Sequence, residues 1–295
     1  MEASVAASPA RQASTCRDVR WPLWLWCNLI SLDAPLVAVL WYLLFARCFS
    51  VHSGSSVPAA LALTVWFIYM ADRMLDAIRL TPLTTAPARH VFCKQNWALM
   101  ASAATVGLFL LAGLCFALPL PVFRSGIIVL AAVSAYFAVV HWGSLKVRRY
   151  WPKEIVVGCL FSVGTCLAVW TESAPGSQIQ IALPALLFAA LCSLNCVAIE
   201  YWEWDSSSAS WPSQPSPLSL WMGRRVGPLS LITTGASIIL LFTSNIDTRP
   251  LFIAIAFSSL ALFQLSRPFR RLTASSRRVL ADAALLTPLL LLAVP

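Results

Sequence analysis

The chain reads as an all-α, polytopic integral membrane protein, and three observations carry that expectation. Hydrophobic residues make up 59% of the 295 positions and charged residues only 11%, whereas a soluble domain has about 25% charged residues. Mean hydropathy is +0.76. The apolar residues gather into nine runs, at 28–49, 57–78, 97–118, 121–142, 154–171, 179–201, 226–244, 249–266 and 278–295. Each run approaches the ~20 residues that a helix needs to cross a bilayer.

Taken in order, the runs have recognisable edges. Trp21, Trp24 and Trp26 precede or open the first as interfacial anchors. The second ends in WFIYMADRMLDAIR. Pro119 and Pro121 separate the third from the fourth, which predicts a tight antiparallel hairpin. The sixth ends in LCSLNCVAIEYWEWD and is followed by DSSSASWPSQPSPLS, a stretch without apolar period that reads as a flexible loop. Residues 1–20 are polar, rich in Ala and Ser, and lack the apolar core of a signal peptide, so they read as a disordered tail. Residues 21–295 then form a single transmembrane helical domain.

Orientation follows from the basic residues. Of 21 Lys and Arg, all but Arg47, Arg124 and Arg249 fall in the N-terminal tail or the even-numbered connections. That asymmetry predicts a cytoplasmic N-terminus and an external C-terminus, with the cell (inner) membrane as the expected location. The net charge of +9 flanks spans and contains no nucleic-acid reading motif, so it predicts contact with anionic membrane lipids and no nucleic acid. The nine cysteines show neither a CxxC pair nor Cys/His ligand spacing, which argues against a zinc site or disulfide framework.

Charged residues inside or beside spans are costly unless used. Asp72 and Asp76 stand one turn apart at the end of the second run and face the same way. Asn195, Glu200, Glu203 and Asp205 crowd the end of the sixth. Glu200 and Glu203 lie ~60° apart around a helix axis and Asn195 ~80° from Glu203, so these three share a broad face, while Asp205 points elsewhere. Both clusters belong to the same side of the membrane. Oxygen ligands converging from two helices suit Mg²⁺, which keeps waters and takes substrate phosphates, and basic residues of the neighbouring loops supply partners for phosphate. Asp33 and Asp282, inside apolar stretches, are expected to pair with a basic residue of another helix or to bond freed backbone. His90 and His141 are expected in ordinary hydrogen-bonded roles.

Two acidic clusters in these places resemble the UbiA superfamily of intramembrane prenyltransferases. Further pieces agree in order: the DxxxD spacing of Asp72 and Asp76, Arg89 in the next loop, Tyr136 and Lys146 in YFAVVHWGSLKVRRYWPKEIVVG, then the polar end of the sixth run followed by LWMGRRVGPL. Ile68 and Tyr69 stand where the family has Asn-Asp, and the second cluster lacks a DxxxD. The resemblance implies a nine-helix bundle that transfers a polyprenyl group from a polyprenyl diphosphate to a lipophilic acceptor. It implies Mg²⁺ held with the diphosphate by Asp72, Asp76, Asn195, Glu200 and Glu203, with Asp72 and Asp76 as the catalytic pair. Arg89, Lys94, Lys146 and Lys153 are then expected on the diphosphate. The alternatives are an ion- or proton-coupled transporter, in which the acidic pairs carry cations, and a non-catalytic lipid-binding relative of the same fold.

Overall fold

The computed structural model describes residues 22–79, 88–206, 215–267 and 272–293, and every regular element among them is helical. A 3-10 turn at Leu23–Leu25 leads into α1 (Trp26–Leu29), and α2 (Asp33–Cys48) departs from that pair at 78°. Ser31 at the break has φ 60°. Pro35 explains the position: its ring excludes the carbonyl four residues back, which is that of Ser31. Next come α3 (Ser56–Arg79), α4 (Ala88–Gln95) and α5 (Trp97–Cys115). After them, α6 (Leu120–Phe137) runs on as a π-helical turn, Ala138–Trp142. A short α7 (Leu145–Tyr150) precedes α8 (Lys153–Glu172) and α9 (Gln178–Ser206). The chain closes with α10 (Pro217–Gly223), α11 (Val226–Thr243), a 3-10 turn at Ile246–Thr248, α12 (Arg249–Ser266), α13 (Ala274–Ala284) and α14 (Pro288–Leu292).

Among the described residues, six helices are long and apolar enough to cross a membrane, or seven if the bent pair of the first run counts as one span. The six are α5, α6 with its π turn, α8, α9, α11, and α12 with its leading 3-10 turn. Nine runs were expected, and two of the three differences have plain causes. With 24 residues, α3 is long enough at ~1.5 Å per residue, but its last two turns carry Asp72, Arg73, Asp76 and Arg79. The ninth run is broken, because the Pro288 ring bars the carbonyl of Ala284, where α13 ends.

The core lies where α2, α8, α9 and α12 meet. Trp41 stacks on Phe188 with ring centroids 4.2 Å apart. Its indole nitrogen donates to the Leu285 carbonyl at 2.8 Å, satisfying an acceptor freed by the break before α14. α9 is the central helix, with 61% of its apolar stretch buried, against 11% for each of α5 and α6. The two peripheral helices pack mainly against other partners rather than as the expected tight hairpin. α5 lies on α3 and α6 on α8. Gly107 allows the first of these contacts, since a Cβ there would come 2.7 Å from the Trp66 ring.

α8 and α9 pack closely at Gly158, where an added Cβ would clash with the Ser193 backbone nitrogen. A backbone atom cannot rotate away, so Gly158→Val is expected to destabilise the protein by about 1–3 kcal/mol or more. Thermal unfolding in detergent checks this, and a melting temperature equal to wild type would show that the two helices separate without cost.

Candidate functional site

Among the described residues, one end of the bundle collects the buried charged side chains Arg73, Glu154 and Glu203. The last turns of α3 and α9, the π turn after α6, α4 and the first turns of α8 and α13 all arrive there. The ends of α3 and α9, which carry the two acidic clusters, are linked here through the cations Lys153 and Arg89.

Glu203, buried at the end of α9, is held from two sides. Arg89 of α4 forks onto it, with Nη1 donating to Oε1 at 2.7 Å and Nη2 to Oε2 at 3.2 Å. Arg278 of α13 donates from Nη1 to the same Oε1 at 3.0 Å. One turn earlier, Glu200 Oε1 lies 3.1 Å from Lys153 Nζ, and Lys153 is also 3.8 Å from the buried Glu154. Glu154 in turn accepts from the Ser219 hydroxyl, which ties the start of α8 to α10. Asn195 does not join these two carboxylates: its amide nitrogen donates to Asp282 Oδ1 of α13 at 3.3 Å.

Asp72 and Asp76 form the other half. Asp72 is half-exposed and its Oδ1 lies 3.6 Å from Nε2 of the buried His141. The His141 ring stacks on Phe137 at 5.6 Å, so the π turn fixes its direction. Such turns frequently mark functional positions. Asp76 makes no hydrogen bond or ion pair among the described residues, yet Asp72, Lys153, His141 and Arg89 all lie within electrostatic reach of it. Lys153 and Arg89 are the residues that hold Glu200 and Glu203, so the cations bridge the two acidic clusters.

Arg73 turns away from both aspartates. It is only 4% exposed and donates to the carbonyls of Asn28 and Leu29 at the end of α1. Trp66 Nε1 donates to the next carbonyl, that of Ile30, at 3.0 Å. Asp33 opens α2 beyond the break and accepts from Asn28 Nδ2 at 2.7 Å. On α4, outside the spans, burial pushes the Cys93 thiol up and the Arg73 charge opposes that, which leaves Cys93 a neutral filler.

Lys94 is exposed on α4, Asp205 is exposed at the end of α9, and the side chain of Lys146 lies outside the described residues. Three participants were not legible as site residues: Arg278, Glu154 and His141. Arg278 and Asp282 did carry a signal, because four residues on α13 place them on one helix face.

The five-residue Mg²⁺ set is not assembled. Among the described residues, no group of three or more His, Cys, Asp and Glu is placed to hold a metal ion. The reason is local competition: Glu203 is occupied by two guanidiniums, Glu200 by an ammonium, and Asn195 faces Asp282. Asp72 and Asp76 retain a fit to Mg²⁺, as two neighbouring carboxylates that leave coordination positions for water and phosphate.

Fold and site together define a multi-helix membrane protein with a carboxylate- and guanidinium-lined end. A scan against protein-family models finds no match, and searches of curated proteins and of solved structures find none either.

Proposed function

We propose that the protein transfers a polyprenyl group from a polyprenyl diphosphate to a lipophilic acceptor within the membrane, with the diphosphate held at the charged end. The observation that supports this best is the set of cations, Lys153 and Arg89, between the Asp72–Asp76 pair and the end of α9. Mg²⁺ bound by Asp72 and Asp76 would supply positive charge to the leaving diphosphate, which is the main requirement for departure of an allylic group. Lys153 and Arg89 add donors on the opposite side. The apolar helices surround the prenyl chain and keep water from the allylic cation.

The test is incubation of the purified protein with Mg²⁺, labelled polyprenyl diphosphates of several lengths and a membrane lipid extract. A new labelled lipid and stoichiometric release of diphosphate are expected. No product at any chain length, with intact protein, would refute the reading. A second reading, an ion- or proton-coupled transporter, is favoured by Asp282, which contacts Asn195 and lies close to Asp33 inside the bundle. It predicts ion flux driven by a gradient in proteoliposomes and no lipid product.

Nine crossings, a cytoplasmic N-terminus and an external C-terminus belong to the same proposal, with α3 and the α13–α14 pair as additional spans. Tags inserted after Asp205 are expected to react with impermeant reagents only from the cytoplasmic side, and tags after Pro295 only from outside. A C-terminal tag that reacts from the cytoplasm would remove one crossing.

A further inference from the structure

We propose that Arg89 and Arg278 form an oxyanion cradle whose resting occupant is Glu203, and that a phosphate group displaces this carboxylate when it binds. The inference deepens the reading above and rests on it for the identity of the ligand as a diphosphate. The geometry is that of a phosphate site filled from within. Two guanidiniums from different helices converge on one carboxylate, and its Oε1 receives a hydrogen bond from each. A carboxylate has two oxygens for the fork of Arg89 and the donors of Arg278. Among the described residues, Arg278 Nε is left buried without a hydrogen-bond partner. A phosphate offers an additional oxygen and a larger charge to the same donors.

A second observation is independent of Glu203. Arg73 lies within electrostatic reach of both cradle arginines, and its Nη2 is a buried donor without a hydrogen-bond partner among the described residues. Three guanidiniums therefore share this region. Asp33 and Asp282 offset part of their charge from the far side, where Asp33 is engaged by Asn28 and Asp282 by Asn195. Access exists at the outer edge: the side chains of Arg89 and Arg278 are 13% and 16% exposed, whereas that of Glu203 is 9% exposed. Glu203 lies in the last turn of α9, which ends at Ser206, so its release requires a side-chain rotation and no unwinding of the helix.

This assignment reverses the role that a metal-ligand reading gives Glu203. A ligand helps its diphosphate to bind, whereas an occupant of the cradle opposes it. The experiment is titration of the full-length protein in detergent with inorganic pyrophosphate, without divalent metal, by calorimetry. Glu203→Gln is expected to tighten binding by about tenfold or more, because a neutral amide competes poorly for two guanidiniums. Arg278→Gln is expected to weaken it by about tenfold. Unchanged or weaker binding by Glu203→Gln overturns the cradle, as does an Arg278→Gln variant with wild-type affinity. Should Glu203→Gln fail to fold, Arg278→Lys keeps the charge and loses the fork. Weaker binding at an unchanged melting temperature then supports the cradle, and wild-type affinity overturns it.

Repeating the titration in nanodiscs separates the sources of phosphate. Pyrophosphate binding that persists beside dioleoylphosphatidic acid assigns the diphosphate. Thermal protection by that lipid alone, with the same dependence on Arg278, supports the cradle with a lipid headgroup as its ligand. No response to either anion overturns it. Because no metal or prenyl chain is present, failure of prenyl transfer in the product assay leaves this result intact, so the two readings fail separately.

Discussion

If the proposed function holds, Asp76→Asn is expected to lower prenyl transfer by ~10²-fold or more while the melting temperature stays level or rises. The size is that expected for loss of a main electrostatic contribution to catalysis. The stability side follows from the surroundings: Asp72 and Asp76 repel one another when no cation lies between them, and Asp76 has no hydrogen bond to lose among the described residues. Asp72→Asn behaves similarly in activity, but it also changes the group facing His141 at 3.6 Å, so Asp76 is the cleaner probe. The companion measurement is the melting temperature with Mg²⁺ and pyrophosphate present. Ligand at 100 times its Kd stabilises the wild type by about 2.7 kcal/mol, and the Asn variants should lose most of that increment. Equal stabilisation of all three proteins would remove these aspartates from the binding site and leave the transporter reading in front.

Arg73→Met is expected to be a strongly damaging single change at this end of the bundle for stability, at about 1–3 kcal/mol. Its guanidinium donates to the carbonyl of Leu29 and to that of Asn28, which also accepts from the Ser31 N–H at 3.3 Å. A buried carbonyl that loses its donor costs about 1–3 kcal/mol. Arg73→Lys should restore part of the loss, since an ammonium reaches a carbonyl but lacks the planar fork. Denaturation in detergent measures the cost. If Arg73 instead served to neutralise Asp72, the Met variant would keep its stability and alter the response to Mg²⁺. The position of the guanidinium, beneath the end of α1, argues for the first outcome.

Arg73 also shows why neighbourhood in sequence misleads in a bundle. It directly follows Asp72 and looks like its counter-ion, yet successive residues on a helix are ~100° apart, so the two point to different helices. Asp72 and Asp76, four residues apart, lie within electrostatic reach of one another. The proline effects divide in the same way. Pro119 before α6 was readable as a boundary. That α5 and α6 then pack mainly on other helices was not, because it depends on Trp66 of α3 finding the hollow at Gly107.

The sequence by itself determined the all-helical membrane class, most span positions and the meeting of two acidic clusters at one end. Those properties follow from local composition and from helical periodicity, which are written within single runs of about 20 residues. Only the tertiary structure decided which charge neutralises which. Glu203 meets Arg89 across 114 positions and Arg278 across 75, and Asn195 turns to Asp282 across 87. Buried charges must find partners of opposite sign at about 3 Å. Which partners reach that distance is set by how α4, α9 and α13 pack, and no spacing within one helix encodes that.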